Sequence, residues 1–248
     1  MSPADLESLL VVAFGFAVGG LLKGATGAGA PLLAVPLLSL YFDVRFAVII
    51  FSIPNLVPNL WQAWAYRRTA LPRPFVLRFA LAGMLGAGIG TWILATAPLE
   101  KLMLSVAAAV TLYIVFRLVR PHWRLDYAHG LRLAAPVGTL AGILQGASGV
   151  SAPVSLTFLN SLGLERSQFV PTVSMFFVGL GVVQIPMLIG YGMLTPRLAL
   201  WSAAALVPLI AAMPLGARIG RHVSREVFDR IILALLAALA IKLVVEAL

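Results

Sequence analysis

The residues with chemistry to offer are concentrated in two short stretches. Residues 19–31 read Gly-Gly-Leu-Leu-Lys-Gly-Ala-Thr-Gly-Ala-Gly-Ala-Pro, and residues 141–153 read Ala-Gly-Ile-Leu-Gln-Gly-Ala-Ser-Gly-Val-Ser-Ala-Pro. Shifted by 122 positions, Gly24 falls on Gly146, Thr26 on Ser148, Gly27 on Gly149 and Pro31 on Pro153, while Lys23 falls on Gln145. Glycines followed by a proline interrupt a helix, and inside an apolar setting the freed N–H and C=O groups must find partners in protein, water or a bound solute. A helix that begins near Gly29–Pro31 aims the N–H groups of Gly27, Ala28 and Gly29, with the positive end of its dipole, at the break. Gly149, Val150 and Ser151 do the same in the second stretch, and Thr26 and Ser148 add hydroxyls. Such a donor set suits a small oxyanion. The same glycines also permit close helix packing, as small-xxx-small patterns do, but packing alone does not call for matched hydroxyls and prolines.

Lys23 is the one charged residue deep in an apolar stretch, which makes it a functional candidate. Its counterpart Gln145 makes the expected site asymmetric, one cation and one amide. Asn55, Asn59 and Gln62, with Gln184 and Thr172 in the second half, are candidates to line the same cavity or to bond between helices. The nine acidic residues fall in termini, loops or helix ends, as do His122, His129 and His222. No intramembrane carboxylate is on offer as a proton relay. An anion leaving a negative-inside cell needs none, since it gains about 2.3 kcal/mol per charge per 100 mV.

Composition sets the solvent for these residues. Apolar types make up 61% of the chain and charged types 11%, with a mean hydropathy of +1.00; a soluble domain carries about 25% charged residues. At 248 residues there is room for roughly eight spans of ~20 residues. The net charge of +9 sits in short inter-span loops, so it points to membrane orientation and anionic lipid rather than nucleic acid. The absence of cysteine excludes disulfides and thiol ligands. Met1 to Leu10 carries Asp5 and Glu7 and no basic residue, which is not a secretory signal pattern. The apolar region from Leu6 to Leu40 is too long for one straight span: ~35 residues reach about 52 Å. Further spans are expected at Phe46–Ala65, Phe75–Ala95, Lys101–Val119, Gln168–Gly190, Arg197–Gly216 and Phe228–Ala247, with a second broken region from Leu133 to Leu162. Arg117 to Arg132 forms the seam between the halves.

Gln62 matches Gln184 at the same shift of 122, and Gly90 with Glu100 matches Gly216 with Glu226 at 126, so the chain reads as two homologous four-segment repeats, residues 1–124 and 125–248. Charge decides their relative orientation. If every segment crosses, Lys and Arg divide ten to seven between the two faces; if each broken region turns back, they divide 13 to 4. The positive-inside rule favours the uneven division. The expectation is therefore an all-α integral membrane protein of inverted repeats, each opening with a Gly-rich broken helix or re-entrant hairpin, with both termini outside and a midplane site where the two breaks meet.

The paired breaks Lys23–Pro31 and Gln145–Pro153, the Leu215-Gly216-Ala217-Arg218 turn and the duplicated layout resemble the sulfite exporter TauE/SafE family over essentially the whole chain. The resemblance implies a multi-pass permease of the cell (inner) membrane that moves sulfite, organosulfonates or related small anions without a cofactor. An anion channel is the nearest alternative. A more distant one is an intramembrane serine protease, because Gly146-Ala147-Ser148-Gly149 fits Gly-x-Ser-Gly; its nucleophile would need a base within reach, and the histidines lie in loops. The residues do not decide the oligomeric state.

Overall fold

The computed structural model describes residues 6–119, 123–222 and 233–242, and all regular structure among them is helical. The helices are α1 (Leu6–Thr26), α2 (Ala30–Tyr41), α3 (Val44–Ala65), α4 (Arg73–Thr96), α5 (Leu99–Val119), α6 (Tyr127–Ser148), α7 (Ala152–Ser161), α8 (Arg166–Gly190), α9 (Pro196–Ala204), α10 (Leu206–His222) and α11 (Leu233–Lys242). Among the described residues six helical segments are long and apolar enough to cross a membrane, α9 and α10 counting together as one. The expected span Phe228–Ala247 is described only over α11. Arg120, His122, Arg225, Glu226 and Arg230, which entered the charge and repeat arguments, lie outside the described residues.

Local chemistry accounts for the helix ends. Asp43 accepts from the N–H of Phe46 (2.7 Å), Asp126 from that of His129 (2.8 Å) and Thr195 from that of Leu198 (3.3 Å), each a side-chain N-cap. The Asp126 cap starts α6 at Tyr127, six residues before the expected boundary, so the polar seam is shorter than the sequence suggests. Gly27 (φ 86°) and Gly29 (φ 92°) separate α1 from α2, and Gly149 (φ 70°) ends α6; these left-handed angles suit glycine and little else.

The contacts along these helices define their directions. Gly15 lies against Leu37 and Leu38, and Gly19 against Ala34, so α2 runs back along α1. With 12 residues α2 is about 18 Å long, short of a ~30 Å hydrocarbon core. The N–H of Leu125 donates to Ser161 O (2.8 Å) and Gly130 lies against Leu162, which brings the end of α7 to the start of α6. Helices α3 and α8 are antiparallel: Ser174 Oγ donates to Gln62 Oε1 (3.2 Å), and Gly181 lies against Leu56.

Two parallel helix pairs have backbone in contact with backbone. In α4 and α6, Gly138 meets Phe79, Gly142 meets Gly83 and Ala87, and Gly146 meets Ala87 and Thr91. In α1 and α10, Gly20 meets Leu209, Gly24 meets Met213 and Ala217, and Gly220 meets Ala25. The four-residue spacings of Gly138, Gly142 and Gly146, of Gly20 and Gly24, and of Gly216 and Gly220 put each set on one helix face. Elsewhere an aromatic column ties α4, α7 and α8 together: Phe75 stacks on Phe158 (6.0 Å) and Phe79 on Phe176 (4.1 Å).

A Cβ on Gly142 would press into the backbone of Gly83 and Ala87, whereas nothing lies within 4 Å of one on Gly190. Gly142→Ala is expected to lower stability by about 1–3 kcal/mol, as overpacking does, and Gly190→Ala to leave it nearly unchanged. Thermal unfolding in detergent checks both.

Candidate functional site

A cavity of about 550 Å³ opens where the break between α1 and α2 meets the last turns of α3, the first turn of α8 and the middle of α10. Lys23, Gly24 and Gly27 line it from the break, Trp61, Gln62, Tyr66 and Thr69 from α3 and the turn after it, Arg166, Ser167 and Val170 from α8, and Met213, Pro214 and Ala217 from α10. Two of these residues are cationic and none is acidic.

Lys23 is 3% exposed, and its Nζ donates to Asn59 Oδ1 at 2.7 Å. Asn59 is held by its own amide, whose Nδ2 donates to the backbone carbonyl of Asn55 (2.6 Å) and lies 3.3 Å from Asn55 Oδ1. This makes a buried polar relay of Lys23, Asn59 and Asn55 across the α1–α3 contact. One turn further along α3, Gln62 faces the cavity with its Oε1 taken by Ser174. Thr172 does not line the cavity; its Oγ1 accepts from the N–H of Leu71 (3.0 Å) and so anchors the turn after α3.

Most hydrogen-bonding groups of the break find their partners within it, although Thr26 is exposed. The N–H of Gly27 closes the last turn of α1 on Lys23 O (2.7 Å). Thr26 Oγ1 donates to Leu22 O (2.8 Å), sits close to Ala28 O and accepts from the N–H of Ala28 (3.3 Å). Gly29 caps α2, and Ala28 is fully buried.

The second break has a different environment. Gln145 is 1% exposed, and its Oε1 accepts from Ser151 Oγ (2.9 Å). Gln184 Nε2 lies 3.5 Å from the carbonyls of Gln145 and Gly146. The N–H of Gly149 closes α6 on Gln145 O (2.9 Å), and Val150 is fully buried. Gly146 lies against α4, and Gly149 is packed between Val35 and Val48. Ser148 Oγ donates to Leu144 O (2.7 Å), while the described histidines bond elsewhere, His129 to Asp126 and His222 to Arg218 O.

The breaks do not meet. Gly27 touches Val170 and Gly149 touches Val48, each one turn into α8 and α3 respectively. Because α3 and α8 run antiparallel, these contacts fall toward opposite ends of the pair. The structure thus joins Lys23 to Asn59 and Asn55 behind an open cavity that Lys23 and Gln62 line. It brings Gln145 together with Ser151 and Gln184 in a packed interior, with Ser148 bonded within its own helix.

In the sequence Arg166 is one of the basic residues of the inter-span loops. Its Nη2 donates to Gly24 O (3.0 Å) and its Nη1 to Ala25 O (3.3 Å), the carbonyls of the two residues that follow Lys23. Arg45, in the first turn of α3, makes similar bonds to Leu94 O (3.1 Å) and Ala97 O (2.6 Å). The signal available in the sequence was this shared position, an arginine in the first turn of each repeat's next long helix.

The family model for the sulfite exporter TauE/SafE matches residues 11–243. The chain belongs to the sulfite exporter TauE/SafE family. No curated protein and no solved structure matches it. Membership of this transporter family, with the six apolar helical segments, makes it a multi-pass membrane protein. Among the described residues, the cavity is lined by two cations, Lys23 and Arg166, and by no carboxylate.

Asn59→Leu leaves Lys23 buried without its acceptor and is expected to cost about 1.5–3 kcal/mol, as for hydrogen bonds to charged groups. Lys23→Met with Asn59→Leu together should cost less than the sum of the two single changes. Thermal or chemical unfolding of the four proteins in detergent reads the coupling.

Proposed function

We propose that the protein is a carrier that exports a small sulfur oxyanion, sulfite or a sulfonate, across the cell (inner) membrane, binding it in the cavity at Lys23. The observation that carries this reading is a cavity with no acidic residue among its described lining and a buried lysine at its inner wall, beside a helix break, in a chain of the TauE/SafE family. An anion in the cavity has the Lys23 amine as a donor, with Gln62 as a neutral donor next to it. In this reading the site sits at the first break, and the second break is its closed counterpart. Export follows the membrane potential, since an anion gains energy on leaving a negative-inside compartment.

Four observations support inverted repeats with re-entrant openings. Repeat-equivalent helices α3 and α8 run antiparallel, as an in-plane two-fold requires and a tandem duplication does not. The equivalent contacts Gly27–Val170 and Gly149–Val48 are related by the shift of 122 in both partners. The end of α7 returns to the start of α6. Thr69 Oγ1 donates to Ser167 O (2.6 Å), which favours a common face for two loops that an all-crossing chain would separate. A carrier is favoured over a channel because one break lines an open cavity while its counterpart is filled by Val35 and Val48.

Proteoliposomes carrying wild type should take up anions from a panel of sulfite, sulfonates, sulfate and carboxylates, and Lys23→Gln and Thr26→Ala should both weaken that flux. Unchanged flux in both variants removes this site. Trans-stimulation by substrate on the far side separates carrier from channel, and flux indifferent to collapse of the potential at a fixed gradient removes the potential-driven form.

The cysteine-free chain allows the topology to be read directly. Thr69→Cys and Ser167→Cys should react with a membrane-impermeant thiol reagent from the same face, and Leu99→Cys from the other. Labelling of Thr69→Cys and Ser167→Cys from opposite faces returns the repeats to a tandem arrangement.

A further inference from the structure

We infer that Arg166 is a second anion-binding residue of the cavity, one that exchanges the end of α1 for the substrate. The inference rests on the transport reading above and assigns one of its contacts. The guanidinium stands at the exposed mouth of the cavity, and Lys23 lies buried at its inner wall. Its two terminal nitrogens point at two consecutive carbonyl oxygens, Gly24 O at 3.0 Å and Ala25 O at 3.3 Å.

This is the pattern in which a guanidinium takes two oxygens of one oxyanion, a planar fork meeting a pair of acceptors. The carbonyls at a helix C-terminus also carry the negative end of its dipole. The last turn of α1 therefore stands in for an anion on the Arg166 fork. A neutral carbonyl is a weaker acceptor for the guanidinium than a charged oxyanion, to which the fork can make two parallel bonds. An oxyanion entering the cavity displaces the two carbonyls and is held between Arg166 at the mouth and Lys23 within.

The exchange has a second effect. Gly24 and Ala25 lose their donor when the anion arrives, so the last turn of α1 is released as the site fills. Arg166 thereby links occupancy of the cavity to the hold on the break that lines it. Arg45 makes the same kind of bond to α4 but does not line the cavity, so the linkage belongs to the open half.

The test uses the full-length protein with methanesulfonate and sulfite as probes. Arg166→Gln keeps a neutral donor for Gly24 O and loses the charge and the fork. It should raise KM for flux of both probes by about tenfold or more, with unfolding midpoints near wild type and Arg166→Lys falling between. A change in maximal flux or midpoint at unchanged KM reduces Arg166 to a helix cap and overturns the inference. Wild-type protein gives a readout that does not depend on any variant folding. Methanesulfonate should slow phenylglyoxal modification of Arg166, read by mass spectrometry of its peptide, and leave Arg73 unaffected; equal rates at Arg166 with and without the probe overturn the inference. If wild-type vesicles carry neither probe, the transport reading itself falls. If they carry both and Arg166→Gln keeps its KM, only the role of Arg166 falls.

Discussion

Backbone-to-backbone contact at glycine holds this molecule together. In lipid there is no hydrophobic gain from pressing one apolar helix on another, so association comes from close packing and hydrogen bonds. Gly138, Gly142 and Gly146 lay α6 on the backbone of α4, and Gly20, Gly24, Gly216 and Gly220 do the same between α1 and α10. Those two pairs fix the paths of α1 and α6, and hence where each break can lie. The cavity is a by-product of that placement: α1 carries Lys23 to Asn59 because Gly20 and Gly24 have brought it against α10.

The two halves use equivalent residues differently. Gly24 and Gly146 share a packing role, yet Gly24 also lines the cavity, whereas Gly146 lies against Ala87, Gly90 and Thr91. Lys23 reaches across to an asparagine, while its counterpart Gln145 turns to Ser151 within its own half. Both buried groups need a hydrogen-bond partner, and the amide takes a neighbouring hydroxyl while the amine takes an acceptor from another helix. Two positions account for the difference: lysine stands where the second stretch has Gln145, and glycine stands where it has Ser151, the partner of Gln145.

Much of this was legible in the sequence. The breaks at Gly27–Gly29 and Gly149 follow from glycine and proline, and the spans ending at Ala65, Val119 and Gly190 follow from apolar run length. Lys23 declared itself by being charged where nothing else is. The start of α6 was less legible, because Asp126 reads as loop charge until its side chain is seen to accept from His129. The separation of the breaks was hidden for a different reason: matched sequence gives equivalence between two positions and no distance between them. Arg166 was hidden because an arginine beside a predicted loop is usually a solvated charge, and only the fold brings the carbonyls of Gly24 and Ala25 under it.

Each glycine-bearing opening helix finds its mate in the other half of the chain, and the two waits are unequal. Helix α6 enters the bilayer after α4 is already there. Helix α1 enters first, and its mate Leu209 is synthesised about 190 residues after Gly20, which at 5–20 residues per second is roughly 10–40 s. For that time the furrow at Gly20 and Gly24 has only lipid or a temporary neighbour to fill it. The order of synthesis leaves this face of α1, next to the lysine that lines the cavity, open until α10 is made.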